Sequence, residues 1–209
     1  MDASLQRKLI EAVTGAVIAH ADELTALDQA IGDGDHGLNM KRGAAAVSSQ
    51  LDELAGKPLP DALKTVGMTL VMKVGGASGP LYGTFFTTLG KELSAVPSHD
   101  EVVRAVGVAI AAVKKIGRSD VGQKTLLDVL SPVHAELATG GSGLPDRLRH
   151  RAMAAADATI PMRATKGRAS FLGERSVGHM DPGARSSSLM IAAICTVMKD
   201  RATMEIKEE

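Results

Sequence analysis

Residues 9–31 read LIEAVTGAVIAHADELTALDQAI, and the spacing of their apolar side chains decides the fold. Leu9, Ile10, Val13, Val17, Leu24, Leu27 and Ile31 recur mostly three and four apart, the repeat of one buried helical face. The same period runs through nearly all of the chain. Strand signals are weak, because alternation is rare and alanine, leucine and methionine outweigh aromatic and β-branched runs. The expectation is an all-α protein of eight helices, near residues 3–30, 37–54, 60–73, 78–94, 98–117, 122–139, 145–165 and 182–200. In the first of these the pattern weakens near His20, which marks the place for a break.

Several helix ends carry their own signal. Ser98-His99-Asp100-Glu101 reads as a capping box, and Asp181-Pro182 sets a cap acid before a proline suited to the first helical position. Pro60 and Asp61 suit the opening of the third helix, whereas Pro132 is expected to kink or divide the sixth. Gly140-Gly141-Ser142-Gly143 is a tight connection between helices of similar character, and no internal repeat or low-complexity linker is present. The expectation is one domain over residues 1–209.

Short connections make consecutive helices antiparallel neighbours, as in an up-and-down bundle or barrel. The connections after helices one, three, five and seven then emerge at one end. They are residues 31–36, 74–77, 118–121 and 166–181, and they hold nearly all the unusual glycine-rich and polar sequence. The chemistry is expected at that end.

Composition narrows the function classes. Lysine plus arginine equal aspartate plus glutamate at 24 each, so no electrostatic argument favours nucleic acid or an anionic membrane. Aromatic residues make up 2%, with no tryptophan, which leaves few stacking platforms for single-stranded nucleic acid. No stretch approaches the ~18 uninterrupted apolar residues of a membrane span, and the N-terminus shows no long apolar region or cleavage signal. The lone Cys195 sits in the apolar run 189–197 and reads as a buried filler. These features give the expectation of a soluble, cytoplasmic protein.

The first loop holds Asp28, Asp33 and Asp35 within eight residues, in Leu27-Asp28-Gln29-Ala30-Ile31-Gly32-Asp33-Gly34-Asp35-His36-Gly37. Three carboxylates so close repel one another unless a cation holds them. Oxygen-only ligation selects hard cations such as Mg²⁺ or Ca²⁺. An EF-hand fails at Gly37, Leu38 and Ala44, where a third ligand, a glycine and a closing glutamate are required. Mg²⁺ remains, completed by water and substrate phosphates. A solvated acidic turn is the competing reading of an isolated Asp-Gly-Asp.

The second loop, Val74-Gly75-Gly76-Ala77-Ser78-Gly79-Pro80, has glycines before a helix start, which let backbone N–H groups converge on an anion. Close helix packing around small residues is the alternative. Gly122-Gln123-Lys124-Thr125 is not a Walker P-loop, since Gln123 interrupts Gly-Lys-Thr and no strand precedes it; Lys124 near a phosphate or adenosine stays open. The last loop, 166–181, is long and rich in arginine, lysine and glycine, which suits an anion clamp or lid. His20, His99, His134 and His150 read as surface or helix-end residues.

Taken in order, Leu27-Asp28, Ile31-Gly32-Asp33-Gly34-Asp35-His36-Gly37-Leu38-Asn39-Met40, Gly75-Gly76-Ala77-Ser78-Gly79-Pro80-Leu81, Gly122-Gln123-Lys124-Thr125, Lys166-Gly167-Arg168-Ala169-Ser170 and Gly173 through Gly183 resemble the nucleotide-binding L subunit of dihydroxyacetone kinase, from about residue 24 to 195. Gln123 stands where that family often has an acid, and Leu126 where a methionine can occur. The resemblance implies an eight-helix antiparallel barrel with ADP or ATP at one end. It implies that Asp28, Asp33 and Asp35 hold two Mg²⁺ ions. It implies that His36, Gly37, Leu38, Asn39, Ala77, Ser78, Gly117, Leu126, Arg168, Asp181, Pro182 and Gly183 contact the nucleotide, with Arg168 also catalytic.

The family's ketose sits on a separate K subunit, bound to a histidine there, so the resemblance implies half of an active site. In one mode of the family ATP exchanges at each turnover; in the other, bound ADP is rephosphorylated by a phosphohistidine protein of the sugar phosphotransferase system. No residue decides between them, nor between dihydroxyacetone and related short ketoses, and a homodimer stays open. A Mg-nucleotide-binding regulatory module is the alternative function. A purely structural bundle does not explain three acids at the same end as every other polar loop.

Overall fold

The computed structural model describes residues 2–208 and the side-chain surroundings of residues 2–201; Met1 and Glu209, the ends of the expected 1–209 unit, lie outside the described residues. Among the described residues the regular structure is entirely helical: α1 (Ala3–Ala19), α2 (Ala21–Ile31), α3 (His36–Ser48), α4 (Leu51–Gly56), α5 (Leu59–Lys73), α6 (Ser78–Glu92), α7 (His99–Gly117), α8 (Leu127–Thr139), α9 (Leu144–Asp157), a 3₁₀ segment (Arg168–Ser176) and α10 (Pro182–Glu208). The all-α expectation holds; the count of eight does not, because the expected first and second helices are each divided.

Both divisions have the same cause. The His20 ring nitrogen Nδ1 lies 2.8 Å from the Ala16 carbonyl, four residues back, and the Gln50 amide donates to the Ala46 carbonyl at 2.9 Å. Side chains that compete for last-turn carbonyls end a helix locally. Other boundaries also differ, and the eighth expected helix runs on to Glu208 rather than ending at 200. The sixth expected helix starts at Leu127 rather than 122, because residues 122–126 wrap around Asp128, which accepts from the Gly122 and Thr125 N–H groups at 2.5 and 2.8 Å. The seventh ends at Asp157 rather than 165: Thr159 Oγ1 donates to the Ala156 carbonyl at 2.6 Å, and Pro161 follows. Pro132 does not divide α8, which runs through it to Thr139.

The caps fare differently. Ser98 Oγ accepts from Glu101 N at 3.2 Å, but the Glu101 carboxylate turns to Ser94, whose hydroxyl it accepts at 3.0 Å, so only half of the capping box forms. Asp181 caps α10 as read, accepting from Ala184 N at 2.7 Å.

The helices pack in a closed circuit. α1 lies on α3, α3 on α5, α5 on α6, α6 on α7, α7 on α8, α8 on α9, α9 on α10, and α10 returns to α1. The main core inside that ring includes Val17, Leu24, Met40, Leu70, Tyr82, Val113, Leu127 and Leu189. Among the described residues no helix is long and apolar enough to cross a membrane.

The α5–α6 contact, the most extensive in the molecule, depends on small residues. A methyl built on Gly83 would lie 2.8 Å from the Gly67 carbonyl oxygen, and one on Gly67 would lie 2.7 Å from the Gly83 carbonyl oxygen. Gly15, in the middle of α1, has open space around it. Gly83→Ala is therefore expected to cost about 1–3 kcal/mol through overpacking. Gly15→Ala is expected to add about 0.5–1 kcal/mol by lowering the entropy of the unfolded chain. Urea unfolding of the two variants checks the opposite signs.

Candidate functional site: a cleft at four helix beginnings

Three of the four expected loops meet; residues 118–121 stay outside, and residues 124–126, expected within the sixth helix, take their place. One cleft is lined by Asp28, Ile31, Asp33, Asp35 and His36, by residues 75–78 with Leu81 and Tyr82, by residues 124–126, and by residues 166–169 and 181–183. Four of the stretches adjoin an α-helix beginning, α3 opening at His36, α6 at Ser78, α8 just after Leu126 and α10 at Pro182, while residues 166–169 enter the 3₁₀ segment. The first N–H groups of a helix lack intrahelical acceptors, and the helix dipole makes that end positive. Neither α3 nor α6 is capped by the side chain of its own cap residue; the first N–H of α3, that of His36, goes to Asp28 Oδ2. Backbone chemistry alone makes this an anion-binding surface.

Against that positive backbone stands the acid cluster. Asp28, Asp33 and Asp35 each offer a carboxylate oxygen, and the three oxygens lie within 4.8 Å of one another. Asp28 is buried at the end of α2, and its Oδ2 accepts from the N–H groups of Asp35 (2.8 Å) and His36 (3.0 Å). Those bonds curl residues 32–35 back over α2. Arg168 Nη1 lies 2.9 Å from Asp33 Oδ2, which brings the last loop onto the first. The donor set, three carboxylates with no nitrogen or sulfur, fits a hard divalent cation.

Behind the acids lies a buried polar network. His36 places Nδ1 3.1 Å from Ser78 Oγ and Nε2 3.0 Å from Ser186 Oγ. Tyr82 OH bonds Ser186 Oγ at 2.8 Å and Ser187 Oγ at 2.9 Å, and reaches the Gly183 carbonyl at 3.1 Å. Burial pushes the His36 imidazole below the ordinary histidine range, against the opposing pull of Asp28 and Asp35. Burial likewise pushes the Tyr82 phenol up to about 12. The network joins α3, α6 and α10 at the point where all three begin.

Of the residues singled out in the sequence, Asp28, Asp33, Asp35, His36, Ala77, Ser78, Leu126, Arg168, Asp181, Pro182 and Gly183 line the cleft. Gly37, Leu38, Asn39 and Gly117 do not. Gly37 packs against α2, where a methyl would overlap the Ala21 carbonyl and Thr25. Leu38 is 60% exposed. Asn39 is buried beside Gly75, on which a methyl would lie 2.6 Å from its Oδ1, and it accepts from Arg42 at 2.7 Å. Gly117 ends α7 near Leu81. Asn39 thus underpins the glycine loop. Sequence reasoning missed Tyr82 and Ser186, although the only tyrosine of the chain and the run Ser186-Ser187-Ser188 were visible signals.

Asp181 is half-buried at the wall of the cleft, and desolvation pushes its carboxyl up to about 7; the charges of Asp128 and Asp28 add to the rise, while the Ala184 N–H bond and Lys124 oppose it. Such a group favours folding most strongly below its ordinary pKa of 3.8, where it is protonated in both states. That contribution is lost as pH rises through about 7, because the unfolded chain ionises first. Asp181→Asn should therefore gain stability relative to the wild type between those two values and hold the gain above them. Urea unfolding in chelator across pH 4 to 8 measures it, and parallel pH profiles would contradict it.

Residues 30–196 match the DAK2 domain. The chain is 45% identical over 172 residues to the ADP-binding subunit DhaL of PEP-dependent dihydroxyacetone kinase 1 from Listeria innocua, covering 82% of this chain and 84% of the relative. It is 42% identical over 188 residues to the ADP-binding subunit DhaL of PEP-dependent dihydroxyacetone kinase from Escherichia coli, covering 86% and 90%. The crystal structure of dihydroxyacetone kinase from C. freundii in complex with AMP-PNP and Mg²⁺ superposes with a TM-score of 0.78 at 28% identity, covering 92% of this chain. This chain spans 34% of that longer kinase chain. With an all-helical ring, four loops on one cleft and a match over most of its length, the chain belongs to the DAK2 domain family.

Proposed function

We propose that this protein is the nucleotide-carrying subunit of a kinase for dihydroxyacetone or a related short ketose. In this reading residues 1–209 act as one cytoplasmic unit that holds ADP or ATP with Mg²⁺ and passes the phosphoryl group to a ketose on a separate K subunit. The observation that carries it is the meeting of three carboxylates, two helix beginnings and Arg168 on one cleft. The relatives' description as ADP-binding subunits supports the choice of anion.

Asp28, Asp33 and Asp35 would hold Mg²⁺, two ions in this proposal, and the positive charge so supplied would offset that of the nucleotide's phosphates. The backbone at the beginnings of α3 and α6 is set to donate to phosphate oxygens, helped by the Ser78 hydroxyl. Leu81 and Leu126 give the cleft apolar walls. Residues 181–183 close the far side, with Asp181 holding the beginning of α10. Arg168 is more than half exposed and rests on Asp33, so its guanidinium can turn toward a phosphoryl group while staying at the acid cluster. Phosphoryl transfer asks mainly for positioning and charge neutralisation, and these residues supply both.

The Listeria and Escherichia coli relatives are PEP-dependent enzymes, which favours the mode in which retained ADP is rephosphorylated by a phosphohistidine protein. In that mode the protein meets two partners at the same cleft in turn, the phosphohistidine protein and the K subunit.

Three outcomes are expected. ADP affinity, measured by calorimetry, should collapse in chelator and in Asp33→Ala, with circular dichroism unchanged; equal affinity with and without Mg²⁺ would defeat the metal reading. Arg168→Ala should lower turnover by roughly a hundredfold while weakening ADP binding far less, because its demand arises in the transition state. Purified protein with Mg-ATP and dihydroxyacetone should yield no phosphorylated ketose until a K subunit is added; turnover by the lone chain would require a ketose site within it.

A further inference from the structure

Lys124 is an unusual lysine. It is 1% exposed, among the largest fully buried side chains, and its backbone sits in the left-handed region at φ 62°. A non-glycine residue there is uncommon and needs surrounding structure to hold it. Asp128 does so by accepting from Gly122 N and Thr125 N, on either side of Lys124.

Lys124 lines the cleft, but its ammonium is committed to backbone carbonyls. Nζ donates to the carbonyls of Ser176 at 2.6 Å, Met162 at 3.0 Å and Ile160 at 3.5 Å. An ammonium has three N–H donors. All three are used on backbone carbonyls, and none remains for an anion. The sequence left open a place for Lys124 near a phosphate or adenosine; its hydrogen bonds point elsewhere.

Those three carbonyls lie on the two sides of one excursion of the chain. Residues 160 and 162 lead into it, residue 176 leads out, and Arg168 lies between. Other bonds tie the same neck: Gly178 N to the Ile160 carbonyl at 2.9 Å, Ala164 N to Ser176 Oγ at 2.9 Å, and Thr165 N to the Gln123 carbonyl at 3.4 Å. Nearer the tip, Ala164, Ala169 and Leu172 pack on Ile31, three residues from Asp28. Arg163 also pairs with Glu174 across the neck at 3.1 Å, but that pair is exposed. Lys124 is the buried charged donor, and bonds from a charged group are about twice as strong as neutral ones.

We propose that Lys124 is a positioning residue for phosphoryl transfer: it cinches the neck of the 160–178 loop and thereby sets where Arg168 meets the acid cluster. The proposal rests on the reading of the cleft as a phosphoryl-transfer site, but the cinch itself is a property of the free protein and can be tested without nucleotide.

The experiment compares wild type, Lys124→Met, Arg168→Ala and the double variant as full chains. Hydrogen exchange of residues 160–178 is followed in the free protein, ADP affinity by calorimetry with Mg²⁺, and turnover with the K subunit. Lys124→Met should speed exchange in 160–178 by about tenfold or more, change ADP affinity by less than about threefold, and lower turnover by roughly 30-fold or more. In the Arg168→Ala background it should lower turnover by no more than about threefold, because residues acting through one another do not add.

Unchanged exchange would overturn the proposal. So would a loss of ADP affinity above about tenfold with the loop undisturbed, which marks a direct phosphate ligand, or a full further loss of turnover in the double variant. If wild type with its K subunit phosphorylates nothing while Lys124→Met loosens the loop, the cinch stands and the kinase reading alone fails. Should Lys124→Met not fold, Ser176→Ala removes the Oγ bonds to Ala164 and Gly173 from the same neck. It should then show the same split between turnover and ADP affinity, and wild-type turnover with a loosened loop would count against the proposal.

Discussion

Three carboxylate oxygens within 4.8 Å of one another set the terms for the rest of this molecule. Two unit charges ~4 Å apart repel by about 4 kcal/mol at an effective dielectric near 20. A helix beginning typically returns about 0.3–1 kcal/mol, and a hydrogen bond to a charged group about 1.5–3. The two N–H groups that Asp28 Oδ2 accepts, and the Arg168 guanidinium on Asp33, therefore offset part of the repulsion and leave a site that gains from further positive charge. The same groups that tolerate the acids give the cleft its use. Apart from the two N–H groups that Asp28 takes, negative side chains and positive backbone are held apart, ready for a cation and an anion that neutralise each other.

Holding them apart is the work of the ring. Each loop at the cleft is fixed by what lies beneath it. Gly37 lets α3 approach α2 at the point where His36 must enter the polar network, and Asn39 fills the space under Gly75. The small faces of Gly67 and Gly83 bring α5 and α6 close enough for their connection to stay short. Tyr82 then spans from α6 to α10, and its hydroxyl meets three polar atoms in the first turns of α10. The loops are short or tied because the helices beneath them are close.

Much of this was legible in the sequence. The helical period, the clustering of polar loops and the acid triad are local patterns, and local patterns survive translation into structure. What failed depends on competition between neighbours. The break at His20 was marked by a weakening of the pattern, but Gln50 ends a helix because its side chain reaches a carbonyl four residues back, which apolar periodicity does not register. Glu101 leaves the capping box because Ser94, from the preceding loop, offers two donors to one carboxylate. Pro161 was visible, and it ends the excursion of α9 once Thr159 has taken the Ala156 carbonyl. Lys124 was the hardest case. A lysine after glycine in a polar loop suggests a phosphate ligand, and only the long-range fold shows three carbonyls around its ammonium.

The cleft accordingly has two parts of different rigidity, and the difference follows from burial. The network of His36, Tyr82, Ser78, Ser186 and Ser187 is enclosed, with each polar atom matched to another, so moving one would strand its partner at a cost of about 1–3 kcal/mol. Arg168, by contrast, is exposed and ion-paired at the surface, where a pair contributes about 0–1 kcal/mol and is easily exchanged. A rigid floor and a movable cation suit a reaction in which one ligand stays while charge passes across it. The neck tied by Lys124 makes that mobility specific: the side chain at the tip is free to turn, while the backbone that carries it is held from beneath by a charge with nowhere else to go.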